Sequence, residues 1–167
     1  GYDLFLEAAA RVAARRDDAR FVLIGRNTDG PELDGPVSRH LESLGRLHRL
    51  GVRSDIDHLL RAVDVICVPS RYEGFPNVLG EAMASGVPAI VSDVADMRLI
   101  VGDAGLVVPA DDVAAPAGAM EAMGVLGQEE RRAMGRRARQ TIEARYQLSA
   151  ISRMDLEAFS GLGGGGA

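Results

Sequence analysis

The residue types that this sequence lacks exclude several classes of function. It contains no lysine and no tryptophan, so all 19 of its basic residues are arginine and a functional lysine is excluded from this chain. Binding to a nucleic-acid backbone needs clustered cations that displace counterions, and a net charge of -5 argues against it. We therefore expect no nucleic-acid partner, and any phosphate bound here must be small and held locally.

Cysteine and long apolar runs are also scarce. Cys67 is the only cysteine, which excludes an internal disulfide, and its apolar setting DVICVP predicts a buried thiol rather than a reactive one. No apolar run reaches the roughly 18 residues of a membrane span. The start resembles neither a signal peptide nor a transit peptide. These absences favour a cytoplasmic protein, and a start at Gly1 rather than Met leads us to expect a part of a longer protein.

The order of apolar segments predicts the α/β class. Helical spacing over Asp3–Arg16 is followed by the short apolar run RFVLIG, and this alternation repeats along the chain. The later predicted helices and the strands that follow them are Glu32–Leu44 with RLHRLG, Asp55–Val63 with DVICVPS, Pro76–Ser85 with PAIVSD, and Asp96–Val101 with GLVVP. Near-continuous apolar strands are typical of a parallel sheet covered on both faces. We expect a Rossmann-like, doubly wound sheet of about five strands.

The rest of the chain is predicted to be helical. After Pro109 helical spacing covers Asp111–Met123, Gln128–Tyr146 and Ser149–Phe159, and the final GLGGGGA is flexible by composition. A hydrophobic content of 47% suits one domain, which we place at residues 1–160 with a tail at 161–167. The three histidines have no metal-ligand spacing, so we predict no metal. They are His40, His48 and His58.

The segment SRYEGFPNVLGEAMASGVP has the features of a ligand site. Ligands of parallel sheets bind at the carboxyl ends of the strands, where DVICVPS delivers Ser70. Gly74 allows the backbone to approach a ligand, and Pro76 suits the first position of a helix. Free amides of Phe75, Asn77 and Val78 at that helix start can hold a phosphate without a basic side chain.

Two glutamates frame this helix start, with seven residues between them. Glu73 precedes the helix and can accept hydrogen bonds from sugar hydroxyls, whereas Glu81 lies inside it and can take both hydroxyls of a ribose. Each glutamate alone is better explained as a solvated side chain. The pair gains weight from the loop glycine, the proline and the strand end.

EGFPNVLGEAMA resembles the Glu-x7-Glu motif of family 4 retaining glycosyltransferases, which have the GT-B fold. Further blocks resemble that family in the same order, up to about Phe159: GVRSD, AVDV, PS, GVP, SDV, GLVVP, MG and AR. The resemblance implies one half of a GT-B fold, the half that binds a nucleoside diphosphate sugar.

The resemblance also implies roles for individual residues. Glu73 is the candidate catalytic residue, in contact with the donor sugar, although it is not assigned as a nucleophile. Double displacement and a front-face mechanism both stay open. Glu81 would bind ribose. The remaining candidates are Gly74, Phe75, Pro76, Asn77 and Val78 for sugar and phosphate, Gly51, Val52 and Arg53 for the nucleobase, and Gly25 and Ser70 at the site edge. No cofactor is implied beyond the UDP-, GDP- or ADP-linked sugar substrate.

Several family features are absent from this sequence. The Gly-Arg and the loop Lys that clamp the diphosphate stand before the position of Gly1, as do the first strand and the acceptor-binding N-terminal domain. Ala95–Met97 replaces a glycine-containing stretch, and Arg98 or Leu99 stands where a glutamate is frequent. We therefore expect this chain alone to bind the donor weakly and not to transfer sugar. Any membrane contact would be peripheral and made by the missing domain.

Two other functions fit the same architecture. A sugar-nucleotide epimerase of the GT-B fold would need a His or acid set that is not evident here. A non-catalytic nucleotide-sugar-binding module would have the same pocket without an acceptor domain. A dinucleotide dehydrogenase is disfavoured, because no G-x-G-x-x-G follows a strand.

Overall fold

The computed structural model describes residues 1–74 and 76–146, in which helices and strands alternate as predicted. The strands are β1 (Phe21–Leu23), β2 (Leu47–Arg49), β3 (Ile66–Val68), β4 (Ala89–Ser92) and β5 (Gly105–Val108). The α-helices are α1 (Tyr2–Ala13), α2 (Pro36–Ser43), α3 (Ile56–Leu60), α4 (Asn77–Ala84), α5 (Met97–Val101), α6 (Ala114–Val125) and α7 (Gln128–Arg145). The predicted helix Ser149–Phe159 and the glycine-rich tail lie outside the described residues.

All five strands run parallel to their partners, but they form two ladders instead of the one sheet we predicted. β1 pairs with β2, with Val22 opposite His48, and β4 pairs on either side with β3 and β5. Within residues 1–74 and 76–146 no pairing joins the two ladders. An apolar run reveals that a strand is buried but not which strand lies beside it, so the sequence alone did not predict this division.

Helices cover both faces of the larger ladder. Alternate residues of a strand point to opposite faces, and β4 is buried along its whole length. Ile90 packs against Ala119 and Met123 of α6, whereas Ala89 and Val91 join a core formed with α4, α5 and α7. This two-sided burial confirms the doubly wound arrangement.

The smaller ladder has its own core, which fixes the position of α1. The apolar face of α1 packs on β1 and β2, and the rings of Phe5 and Phe21 meet edge to face with centroids 6.2 Å apart. Such aromatic pairs contribute about 1 kcal/mol beyond the area they bury. The first turn of α1 is thereby held at the carboxyl edge of the strands.

The helix boundaries differ from prediction where polar caps and prolines set them. Asp112 Oδ1 accepts the amides of Ala114 and Ala115 at 2.7 and 3.0 Å, so α6 begins at Ala114 and not at Asp111. The predicted segment Glu32–Leu44 divides into a 3-10 turn at Pro31–Leu33 and α2, which begins at Pro36. Proline has no amide to donate and therefore favours a helix start.

Candidate functional site

The loop after β3 holds Glu73 in a defined orientation. The Ser70 hydroxyl donates to Glu73 Oε1 over 2.6 Å, the length of a charge-assisted hydrogen bond. Glu73 is half-buried, and its second carboxylate oxygen, Oε2, remains able to accept a hydrogen bond from a ligand. The structure therefore brings together two of the predicted site residues, Ser70 and Glu73.

Arg71 ties this loop to two other segments of the same edge. Its guanidinium donates to both carboxylate oxygens of Asp3, at 2.9 and 2.6 Å, and to Asp111 Oδ1. Asp3 belongs to the first turn of α1, and Asp111 follows β5 with a φ of 56°. We call Arg71, Asp3 and Asp111 the arginine clamp. It links the Glu73 loop to α1 and to the segment after β5.

The clamp changes the titration of its members. The hydrogen bonds from Arg71 lower the pKa of Asp3 from 3.8 to about 2, and the two carboxylates raise the pKa of Arg71. The Asp3 side chain is 64% exposed, so solvent screens this interaction and its contribution to stability is small. The clamp therefore acts on loop position more than on overall stability.

The start of α4 presents unpaired backbone amides. The Pro76 carbonyl accepts from Leu79 and Gly80 at 2.9 and 3.2 Å, while the amides of Asn77 and Val78 have no acceptor in the part of the chain that the structure describes. We predicted Pro76 as the first helical residue, but it is the N-cap residue, so α4 begins one position later, at Asn77. The exposed amides and the helix dipole favour an anion at this end. Phe75 lies outside the described residues.

Glu81 is on the exposed face of the same helix. It follows Asn77 by four residues and Val78 by three, so the three share one face of α4. The opposite face is buried through Leu79, Ala82 and Met83. The Glu81 carboxylate has no side-chain partner among residues 1–74 and 76–146 and faces solvent. We call Ser70–Glu81 the loop–helix edge.

The predicted nucleobase residues lie at the ends of β1 and β2. The Gly25 amide donates to the Gly51 carbonyl at 2.8 Å, and both glycines have positive φ, 130° and 60°. Val52 is 76% exposed. Arg53 is engaged by the Asp55 carboxylate through two hydrogen bonds, at 2.8 and 2.7 Å, which lower the pKa of Asp55.

The first turn of α1 lies between these two groups of loops. A Cβ atom at Gly25 would lie 3.6 Å from the Tyr2 hydroxyl, and one at Gly1 would lie 2.2 Å from the Pro69 carbonyl oxygen. The candidate residues after β1, β2 and β3 therefore share one edge of the fold. The arginine clamp was missed by sequence reasoning, since its carboxylates lie 68 and 40 positions away from Arg71 and leave no local pattern.

The loop after β4 is also closed by an ion pair. Arg98 donates to both oxygens of Asp93 at 3.0 and 2.6 Å, and Ala95 has a φ of 47°. Arg98 stands near the position where the family resemblance led us to expect a glutamate, and its Nε and Nη2 groups are engaged by Asp93.

Other candidate features lie away from this edge. Burial raises the pKa of Cys67 to about 12, which fits the predicted unreactive thiol. A cleft of about 380 Å³ between α5 and α7, bordered by Leu99, Asp103 and Arg137, includes none of the predicted site residues. Within the described residues, no helix combines the length and apolarity that a bilayer crossing requires.

Comparisons with known proteins agree with this geometry. A family model described as glycosyl transferases group 1 matches residues 1–123. The phosphatidyl-myo-inositol mannosyltransferase of Mycolicibacterium smegmatis is 31% identical over 172 residues, which cover 99% of this chain and 43% of that protein. The chain thus spans less than half the length of this relative.

Solved structures share the fold. Anabaena Alr3699/HepE in complex with UDP has a TM-score of 0.79 at 20% identity, over 96% of this chain and 45% of that one. The C-terminal domain of a glycosyl transferase group 1 family protein, LpcC from Francisella tularensis, has a TM-score of 0.75 at 21% identity, over 89% of this chain and 80% of that one. The predicted family resemblance and the predicted GT-B half are both confirmed, and this chain belongs to the glycosyl transferases group 1 family.

Proposed function

We propose that the loop–helix edge binds the donor of a retaining hexosyltransferase, a nucleoside diphosphate sugar. The observation that carries the proposal is the arrangement around the start of α4. A carboxylate fixed by Ser70 precedes two free amides, and a second carboxylate follows on the same exposed face. In this order, the first carboxylate matches a sugar hydroxyl, the two amides match the diphosphate, and the second carboxylate matches the ribose diol.

Each part of the donor has a distinct partner in this proposal. The amides of Asn77 and Val78 donate hydrogen bonds to the diphosphate oxygens, aided by the helix dipole. Glu73 uses its free oxygen to accept a sugar hydroxyl, because the other oxygen is occupied by Ser70. Glu81 lies about 6 Å further along the helix axis, four residues at 1.5 Å each, where it takes the ribose diol.

The chemical contribution of this edge is stabilisation of the leaving group. Negative charge grows on the diphosphate as the sugar–phosphate bond breaks, and the anomeric carbon gains oxocarbenium character. Preorganised amides at a helix start stabilise such charge without reorganisation. We propose Glu73 as a contact to the reacting sugar and not as the nucleophile. No dedicated metal or cofactor is part of the proposal, so EDTA should leave donor binding unchanged.

Acceptor binding is assigned to a part of the protein beyond these 167 residues. The chain covers 43% of the M. smegmatis relative. The lysine clamp expected from the family resemblance is not supplied by this lysine-free chain. We propose that the whole protein is cytoplasmic, with peripheral membrane contact through its acceptor-binding part. A transfer assay on these 167 residues alone should give no product, and robust turnover would contradict this assignment.

Binding measurements on the chain test the proposal directly. UDP-, GDP- and ADP-sugars are titrated into 15N-labelled protein, and each is compared with its sugar-free nucleotide. We expect Glu73→Gln to weaken binding of the preferred sugar nucleotide by about 1–3 kcal/mol, and to leave the sugar-free nucleotide almost unchanged. Glu7→Gln, an exposed glutamate of α1, is the matched control.

The same titrations separate the other functions. No perturbation by any nucleotide would reject the binding proposal. Conversion of a UDP-sugar to its epimer without an acceptor would favour an epimerase. Binding with no transfer by the whole protein would favour a non-catalytic module.

A further inference from the structure

The loop between β3 and α4 has little packing of its own. Tyr72 is 90% exposed, and a Cβ atom placed on Gly74 would meet no other heavy atom of the described residues within 4 Å. The hydrogen bond from Ser70 to Glu73 lies within the loop, so it orients the carboxylate without attaching the loop to the rest of the fold. The side-chain attachment to other segments is made by Arg71.

The arginine clamp engages every nitrogen of the Arg71 guanidinium. Nη1 and Nη2 donate to the two carboxylate oxygens of Asp3, and Nε donates to Asp111 Oδ1. A forked arginine–carboxylate pair fixes the plane of the guanidinium, which an isolated exposed ion pair does not do. Arg71 is therefore directed towards the start of α1 and the segment after β5, and its position is set by both.

Asp111 occupies a backbone position that favours glycine. Its φ is 56°, and most other positive φ values among the described residues belong to glycines, which are Gly25, Gly45, Gly51, Gly86 and Gly102. A side chain at positive φ is strained relative to glycine. The cap of α6 is the adjacent Asp112, so capping does not explain Asp111. The contact that glycine could not replace at this position is the one with Arg71.

We propose that Asp111 is a positioning residue for the donor sugar: it anchors Arg71, and Arg71 sets the position of the Glu73 carboxylate two residues later. This inference rests on the proposed function, in which Glu73 accepts a sugar hydroxyl. Release of the loop moves that carboxylate away from the hydroxyl, whereas Glu81 and the amides at the start of α4 keep their places. The expected signature is a loss of affinity that is restricted to the sugar.

The test measures dissociation constants of the chain by NMR titration. The probes are glucose and mannose linked to UDP, GDP or ADP, each compared with its free diphosphate. Asp111→Gly should weaken the preferred sugar nucleotide by about threefold to tenfold, because one charge-assisted hydrogen bond is misplaced, and leave the free diphosphate unchanged. Asp111→Asn keeps an acceptor oxygen on a residue that tolerates positive φ, so it should recover most of that affinity.

Two further variants are controls for the loss of charge and for the shared contact. Glu143→Gln removes the carboxylate of another exposed ion pair, with Arg139 on α7, and should bind both ligands as wild type does. Asp111→Gly added to Glu73→Gln should cause no further loss, since both changes act through the same hydroxyl. A full additional loss in the double variant would overturn the positioning role.

Urea denaturation separates positioning from a structural role. Glycine relieves the strain at a φ of 56°, so Asp111→Gly should be no less stable than wild type although it binds the sugar more weakly. Ala95→Gly, at a φ of 47° and outside the arginine clamp, is the stability reference for the same backbone change. A lower stability of Asp111→Gly, together with equal losses for the sugar nucleotide and the free diphosphate, would make Asp111 a structural residue and overturn the proposal.

The remaining outcomes are also decisive. Tighter binding of the free diphosphate by Asp111→Gly would show that the released Arg71 binds phosphate, and it would overturn positioning. Unchanged affinities in Asp111→Gly would remove Asp111 from the account, while a weakened Glu73→Gln would leave the proposed function standing. A wild-type chain that binds none of these nucleotides would reject the proposed function itself.

Discussion

The loop after β3 and the turns after β1 and β2 lie at one edge of the fold, but different forces hold them. Side-chain charges fix the first, through Arg71 with Asp3 and Asp111 and through Ser70 with Glu73. Backbone hydrogen bonds and a buried threonine hydroxyl fix the second group. The stability of the loop after β3 should therefore depend on pH and salt, whereas that of the turns after β1 and β2 should depend on backbone substitutions.

The difference also determines which cations a ligand can use. Carboxylates occupy Arg71 and Arg53, so these arginines serve loop structure. The turn after β1 needs no charge for its own structure, and Arg26 stays unpaired within the described residues. In the proposed function, the diphosphate therefore binds this edge through the backbone amides at the start of α4 and not through Arg53 or Arg71.

The largest expected effect on stability is at Gly25. Its φ of 130° is accessible to glycine almost alone, so Gly25→Ala should lower the free energy of unfolding by about 1–3 kcal/mol. Urea denaturation measures the loss, which should be the same in low and high salt. Gly118→Ala is the control, since Gly118 is exposed in α6 with open space around it and should be neutral or stabilising. A salt-dependent loss at Gly25 would contradict the contrast between the two regions.

A smaller effect is expected at the arginine clamp. Arg71→Ala should lower the Tm by only about 2 °C and reduce the affinity for a sugar nucleotide more than that for the nucleotide alone, because the Glu73 loop loses its anchors. In 0.5 M salt the Debye length is roughly 4 Å, so the decrease in Tm caused by Arg71→Ala should become smaller. Arg139→Ala breaks an exposed pair with Glu143 on α7 and is the control. Equal losses for both ligands would argue against a role in positioning Glu73.

The smallest effect is the acid response of Asp3. Its folded pKa of about 2 lies below the ordinary 3.8, so its contribution is fully present above about pH 4 and is lost as the pH falls towards 2. Because Asp3 is largely exposed, we expect less than about 1 kcal/mol. Urea titrations of wild type and Asp3→Asn should differ at pH 6 and converge near pH 2. A difference that persists at pH 2 would exclude this titration as the cause.

The sequence predicted those parts of the fold that a local pattern of residues determines. Apolar runs located all five strands, and Pro36 and Pro76 lie at or next to helix starts. The pairing of strands was not predictable, because β1 and β3 are equally apolar and nothing in either run records its neighbour. The start of α6 has a local signal, the acidic Asp112 before an alanine-rich segment, but the prediction began this helix at Asp111, three residues early.

The sequence predicted the motif residues of the candidate site, but it did not predict the arginine clamp that holds their loop. Glu73 and Glu81 share a contiguous segment, so spacing alone places one before the helix and the other on it. The clamp joins residues from three distant segments, and charge pairs across 68 positions leave no periodicity in the sequence.

Glu81→Gln tests the central claim most directly, that the loop–helix edge is a nucleotide-sugar site. Dissociation constants of the preferred nucleoside diphosphate are measured for wild type, Glu81→Gln and the control Glu7→Gln by NMR titration. The account predicts that Glu81→Gln weakens binding by about 1–3 kcal/mol, the value of a charge-assisted hydrogen bond to the ribose diol, while the control binds as wild type. Equal affinities for all three would contradict the placement of the ribose at α4.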